Sequence, residues 1–184
     1  MKKLIMSFAM FIILTGCSFS ITDVDNTPTK KVEAYLNNYQ SLTEDVLSDL
    51  DLVVEKEENF TDEQKDKYKD VMKNNFQDLT YVIKEETVNG DAATVEVEIN
   101  VTDFYKVNKA SDSYLVEHEE DFKDESGNYD ENNFIDYKLE QMSNTNYKVK
   151  YTIYFNVTKN DDGKWELEDI DEFDEEKILG LYEY

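Results

Sequence analysis

The chain has 184 residues, room for one domain of ordinary size and too short for a two-lobed receptor that captures solutes for a transporter. Nineteen basic residues, all of them lysine, stand against 43 Asp and Glu; the net charge of −24 excludes a nucleic-acid partner, whose backbone demands a basic surface. With 40% hydrophobic and 13% aromatic residues the chain still has material for a buried core, which separates this acidity from that of a disordered tail.

Met1-Lys2-Lys3 is a short positive segment, and Leu4 to Leu14 is an apolar run of 11 residues, too short for a hydrocarbon core that needs about 20. The run ends in Leu14-Thr15-Gly16-Cys17, and Cys17 is the one cysteine of the chain. This resembles the lipobox of bacterial lipoproteins. The resemblance implies cleavage between Gly16 and Cys17, a diacylglyceryl group on the Cys17 sulfur, and a protein held at the outer face of the cytoplasmic membrane. Each buried CH2 adds roughly 0.8 kcal/mol, so two acyl chains anchor stably where one does not. Residues 1–16 are the expected signal peptide, 17–26 a lipidated tether and 27–184 a single domain. Cleavage removes two lysines and no acid, leaving 168 residues with a net charge of −26, which anionic headgroups repel.

Within the domain, Thr27-Pro28 offers a cap and a first-turn proline, and Val32, Tyr35, Leu36, Tyr39, Leu42, Val46, Leu50 and Val53 recur at helical spacing. They predict one helix over about 28–54. Thr61-Asp62-Glu63-Gln64 fits a capping box ahead of Tyr68, Val71, Met72, Phe76 and Leu79, predicting a second helix to about 78. Both stripes read as core-facing.

After Leu79 the period becomes two. Tyr81 to Val88 runs into Asn89-Gly90-Asp91 and returns through Thr94 to Thr102, a β-hairpin with one wet face. A second hairpin places Tyr147, Val149, Tyr151, Ile153, Phe155 and Val157 inward, turns at Asn160-Asp161-Asp162-Gly163 and comes back through Trp165 and Leu167. Opposite charges at equal spacing, Glu96 and Glu98 against Lys148 and Lys150, predict antiparallel pairing of the two hairpins. In that register Glu96 faces Lys150, Glu98 faces Lys148, and Val97 and Ile99 face Val149 and Tyr147. Between the hairpins, Tyr114, Leu115, His118 and Phe122, then Phe134, Ile135, Tyr137, Leu139 and Met142, suggest two short helices around an acidic turn at 124–128. Glu172 to Leu181 suggests a terminal helical turn stopped by Gly180.

The expected fold class is therefore α+β: two N-terminal helices on a curved antiparallel sheet of about four strands, with a helical insert between two hairpins. That order, with the strand Gly163-Lys164-Trp165-Glu166-Leu167 and the closing Ile178-Leu179-Gly180, resembles small bacterial lipoproteins with a cystatin-like, nuclear-transport-factor-like (NTF2-like) domain over about residues 28–181. The resemblance implies a sheet wrapped into a cone whose interior can hold a ligand. Some enzymes of that superfamily use an acid pair or an Asp-His dyad there.

No catalytic, metal-binding or cofactor-binding residue stands out. His118, the one histidine, lies in Glu117-His118-Glu119-Glu120-Asp121 with no second histidine to share a site and reads as structural. Asn160-Asp161-Asp162-Gly163 has the look of a calcium loop, but an EF-hand frame would begin at Thr158 and end at Asp169, so a plain turn is the better reading. Five glycines leave no phosphate-cradling loop. The leading expectation is a non-enzymatic, membrane-anchored surface lipoprotein that binds an unidentified ligand or protein, with a cationic peptide or protein as the partner its charge favours. The rival expectations are a small isomerase or hydrolase with a buried carboxylate in a concave pocket, and an acidic immunity or sequestration protein against cationic peptides.

Overall fold

The computed structural model describes residues 26–184. Gly16, Cys17, the signal peptide and nearly all of the tether lie outside the described residues. The rest is α+β: α1 (Pro28–Ser41), α2 (Glu44–Glu55), α3 (Asp62–Asp78), β1 (Thr80–Asn89), β2 (Ala92–Thr102), α4 (Phe104–Glu117), a short 3-10 turn (Glu119–Phe122), α5 (Glu131–Asn144), β3 (Lys148–Lys159), β4 (Trp165–Leu167) and α6 (Glu172–Leu179).

The Thr27 hydroxyl accepts the Lys30 N–H at 3.2 Å with Pro28 at the first helical position, and Glu86 of β1 accepts both the N–H and the hydroxyl of Thr29. A carboxylate at that end complements the helix dipole. The single helix expected over 28–54 is two, because Leu42 adopts a left-handed φ of 52° and the Leu42 and Thr43 N–H groups fold back on Tyr39 and Asn38 carbonyls. Leu42 and Val46 fit the apolar spacing in either form; packing makes the break. Val32 and Leu36 face the sheet, whereas Leu42, Leu50 and Val54 join a core built from α3, α4 and α5, and one straight rod does not reach both. The capping box of α3 forms as expected: Thr61 Oγ1 accepts from Gln64 N, and Gln64 Oε1 accepts from Thr61 N.

The four strands lie in the order β1-β2-β3-β4, each antiparallel to its neighbour. Asn89 pairs with Ala92 across Gly90-Asp91, where Gly90 supplies the φ of 66° that such a turn requires. Val95, Val97, Ile99 and Val101 alternate fully buried with half-exposed Glu96 and Glu98, as the period-two pattern demands. Each such aliphatic side chain contributes roughly 1.5–3 kcal/mol by leaving water.

The hairpins do pair, but four residues out of the expected register: Glu96 faces Tyr154, Glu98 faces Thr152, Asn100 faces Lys150 and Thr102 faces Lys148. The expected register would leave the last residues of β2 opposite Asn144 to Tyr147, and α5 runs to Asn144. The slip is even in number, so each side chain keeps its face. The charge pair survives on the diagonal, with Lys150 Nζ 2.8 Å and Lys84 Nζ 3.4 Å from the Glu98 carboxylate. Tyr147, expected inward, precedes β3 and is exposed, with Lys106 Nζ 4.0 Å from its ring centre.

The insert is more helical than expected. α4 begins at Phe104, ahead of the apolar cluster at Tyr114, because Asp103 caps it by accepting the Lys106 N–H at 2.9 Å. α6 ends at Gly180 with φ 75°, as expected.

Two apolar cores result. One lies between α1 and the sheet and is filled by Val32, Leu36, Ile99, Ile153, Val157 and their neighbours. The other joins α2 to α5 through Leu50, Met72, Phe76, Phe104 and Leu139, and Tyr39 packs against both.

Candidate ligand cleft

Two acidic segments of the chain face one another. α2 carries Glu44, Asp45, Asp49, Asp51 and Glu55 and no lysine; the stretch from β4 into α6 carries Glu166, Glu168, Asp169, Asp171, Glu172, Asp174, Glu175 and Glu176. Between them runs a cleft with two adjoining chambers of about 650 and 520 Å3, which share Tyr39, Val46, Asp49 and Glu175. The first is walled by Asp45 and Asp49 on one side and by Glu168, Asp169 and Glu175 on the other; the second is floored by Leu50, Met72, Phe76 and Leu179. None of those five carboxylates is in an ion pair among the described residues.

Tyr35 and Tyr39, one turn apart on α1, meet at the cleft with hydroxyl oxygens 3.0 Å apart and rings edge to face at 5.3 Å. Burial pushes the Tyr35 hydroxyl well above the ordinary phenol range; Tyr39 and, behind it, Glu175 and Asp49 push the same way. Burial raises Tyr39 too, with the same two carboxylates adding to it. Tyr68, which lines the second chamber, is pushed up to about 12 by burial and then by Glu57. These phenols stay neutral, so the cleft offers π faces and hydroxyls beneath a mostly negative rim, in which Lys56 of the second chamber is the cation. Exposed Leu52 and Val53 extend its apolar surface outward along α2. Such a surface suits a ligand with positive charge beside an apolar body.

The residues weighed in the sequence fall elsewhere. His118 is exposed at the end of α4, stacked on Tyr114 with ring centres 4.0 Å apart. The Asn160 side-chain oxygen receives the Asp162 and Lys164 N–H groups at 3.0 Å each, which makes that segment a hairpin turn. Asp103 is the buried carboxylate among the described residues, and both its oxygens have structural partners, Lys106 N and the Tyr184 hydroxyl. Among the described residues no group of three or more His, Cys, Asp or Glu gathers to hold a metal ion, and no helix is long and apolar enough to cross a membrane. The stretch from Glu166 to Glu176 supplies one wall of the cleft. Tyr35 and Tyr39 were hidden in the apolar stripe of α1; the signal that marks them is two tyrosines at i, i+4 followed by a lysine-free acidic helix.

No family model matches the chain, and no curated protein matches it. Among solved structures it is similar to ycdA of Bacillus subtilis subsp. subtilis str. 168, a candidate lipoprotein, at 15% identity and a TM-score of 0.39. The match covers 87% of this chain and 49% of that one, so the chain spans about half the length of ycdA.

Proposed function

We propose that this protein is a lipid-anchored, ligand-binding domain of the bacterial cell envelope, and that the cleft between α2 and α6 captures a cationic, amphipathic peptide or protein segment. The observation that carries the reading is the cleft itself, with five unpaired carboxylates around a floor of tyrosine and aliphatic side chains. The anchor rests on Leu14 to Cys17 in the sequence. One contact ties the two halves together: Asn26, the last tether residue, accepts the Trp165 N–H at 2.9 Å, two residues before Leu167 of the cleft wall. The tether therefore joins the domain beside the cleft. A net charge of −26 on the mature chain draws cations toward this surface while the lipid holds it at the membrane.

The fold reading that accompanies this is the cystatin-like, NTF2-like one, supported by α1 lying along one face of a four-stranded antiparallel meander. Val32 and Leu36 fill that face, so the ligand reading rests on the helical side of the domain and not on a hollow cone.

Two measurements test it. Cys17→Ser abolishes incorporation of labelled palmitate and leaves an uncleaved precursor; unchanged labelling ends the anchor reading. An amphipathic peptide of lysine and leucine, followed by fluorescence anisotropy, binds at low salt and is released at about 1 M salt, where the Debye length is about 3 Å. The double change Asp49→Lys with Glu175→Lys weakens it roughly tenfold or more. Equal binding by this variant and the native chain would overturn the cleft assignment.

A further inference from the structure

Behind a partition made by Glu57, Tyr68 and Leu181, the cleft backs onto a separate cavity of about 480 Å3 between the α2–α3 loop, α3, α4 and α5. Its walls are aromatic and aliphatic: Phe60 and Tyr68 stand edge to face at 5.9 Å, and Phe134, Ile135 and Met142 of α5 share the lining. Its polar groups include both acceptors and donors. Glu57 and Glu131 are carboxylates, and Asn59 spends its Nδ2 on Glu131 Oε1 at 3.0 Å. Lys138, the one cation of the lining, lies 2.9 Å from Asp112 and 5.0 Å from the centre of the Phe134 ring, so its charge is already matched.

The remaining polar groups are the Tyr68 and Tyr129 hydroxyls and the side-chain amide of Asn108, on α4. The Asn108 Oδ1 is buried and accepts no hydrogen bond. Buried acceptors are satisfied in the great majority of cases, so one left open beside a cavity calls for a donor. The Asn amide turns about a soft sp2 torsion, which exchanges Oδ1 with Nδ2 and presents the oxygen to the cavity without moving α4.

We propose that this cavity binds a small amphipathic amine, its apolar body held among Phe60, Phe134 and Met142 and its ammonium group donating to Asn108 Oδ1 in the field of Glu57 and Glu131. A ligand carboxylate would meet the Glu57 and Glu131 carboxylates, whose repulsion outweighs the neutral donors of the lining, the Tyr68 and Tyr129 hydroxyls and Asn108 Nδ2. A neutral alcohol of the same length would fill the apolar walls and match Asn108 without any charge gain. The order of affinity is therefore amine, alcohol, acid. The site stands independently of the peptide cleft, because Asn108, Phe134 and Glu131 do not line that cleft.

Isothermal titration of the full chain with octylammonium, 1-octanol and octanoate tests the proposal. Octylammonium binds about tenfold or more tighter than octanoate, with octanol between them. Asn108→Leu cuts the preference for amine over alcohol by about tenfold, and Asn108→Asp, which places a charge at the same atom, widens it. Phe134→Ala weakens all three ligands. Should Asn108→Leu lose its far-UV circular dichroism, Asn108→Asp and Phe134→Ala carry the test. Octanoate binding as tightly as octylammonium, no binding by any of the three, or octylammonium affinity unaffected by Phe134→Ala would overturn the proposal.

Discussion

Asn75 on α3 accepts the backbone N–H of Thr102, at the end of β2, at 2.9 Å, and donates to the carbonyls of Ile178 and Leu179 at 3.4 and 3.3 Å. One buried amide thereby joins the helical core, the sheet and α6, the helix that walls the cleft. Replacing it by an apolar residue of similar size strips partners from the Thr102 N–H and from the α6 carbonyls, each costing about 1–3 kcal/mol when left unsatisfied in the interior. Asn75→Leu is expected to lose about 3 kcal/mol in urea denaturation. Asn75→Asp, which keeps the acceptor and loses the donor, still protects the Thr102 amide from hydrogen exchange.

Gly180 lies against the same strand end. Its φ is 75°, and a Cβ there would overlap the Thr102 carbonyl oxygen, a backbone atom with no freedom to retreat. Gly90 has a similar φ of 66° with open space around it. Gly90→Ala should therefore cost only the left-handed penalty of about 1–2 kcal/mol, and Gly180→Ala clearly more. Thermal melts of the two variants make the comparison, and equal Tm losses would refute the close approach of Gly180 to β2.

Two threonines precede helices with opposite consequences. Thr61 forms a complete capping box on α3, so Thr61→Val should cost about 1 kcal/mol. Thr43 stands at the same position before α2 but makes no capping bond, and its hydroxyl is buried without a partner. Thr43→Val removes an unsatisfied group at no loss of cap, and the expected result is unchanged or increased stability in urea.

Tyr68 links stability to alkaline pH. Its folded-state value, about 12, lies above the ordinary 10.0, so the phenol is neutral in both states below pH 10 and its contribution is then complete. Between pH 10 and 12 only the unfolded chain ionises, and stability falls. The loss attributable to Tyr68 is on the order of 2 kcal/mol across that window. Tyr68→Phe should flatten that part of the stability profile, and one phenol should disappear from the late-titrating absorbance of the folded protein.

Much of the architecture is local and was legible in the residues. The capping box at Thr61, the Asn89-Gly90-Asp91 turn, the alternation of Thr94 to Thr102 and the stop at Gly180 each depend on a few neighbouring residues whose chemistry admits few conformations. The resemblance of Leu14 to Cys17 to a lipobox is of the same local kind, since it is written in consecutive residues.

Tertiary structure decided the rest, because the competing forms are locally equivalent. The apolar stripe from Val32 to Val53 is the same whether the helix runs straight or turns at Leu42; only the demand of two separate cores selects the turn. The register between β2 and β3 is ambiguous in steps of two, since each step preserves both faces, and the end of α5 at Asn144 selects one. The cleft is less visible still. Asp49 and Glu175 are far apart in the chain, and nothing local to either marks a shared site; folding α1 onto the sheet and turning α2 back brings both carboxylates to the Tyr35–Tyr39 pair. Sequence by itself determined the caps, the hairpin turn, the strand alternation and the charge, whose causes lie within a few residues; which charged faces meet depended on distant packing, which alone turns two ordinary acidic surfaces into opposite walls of one cleft.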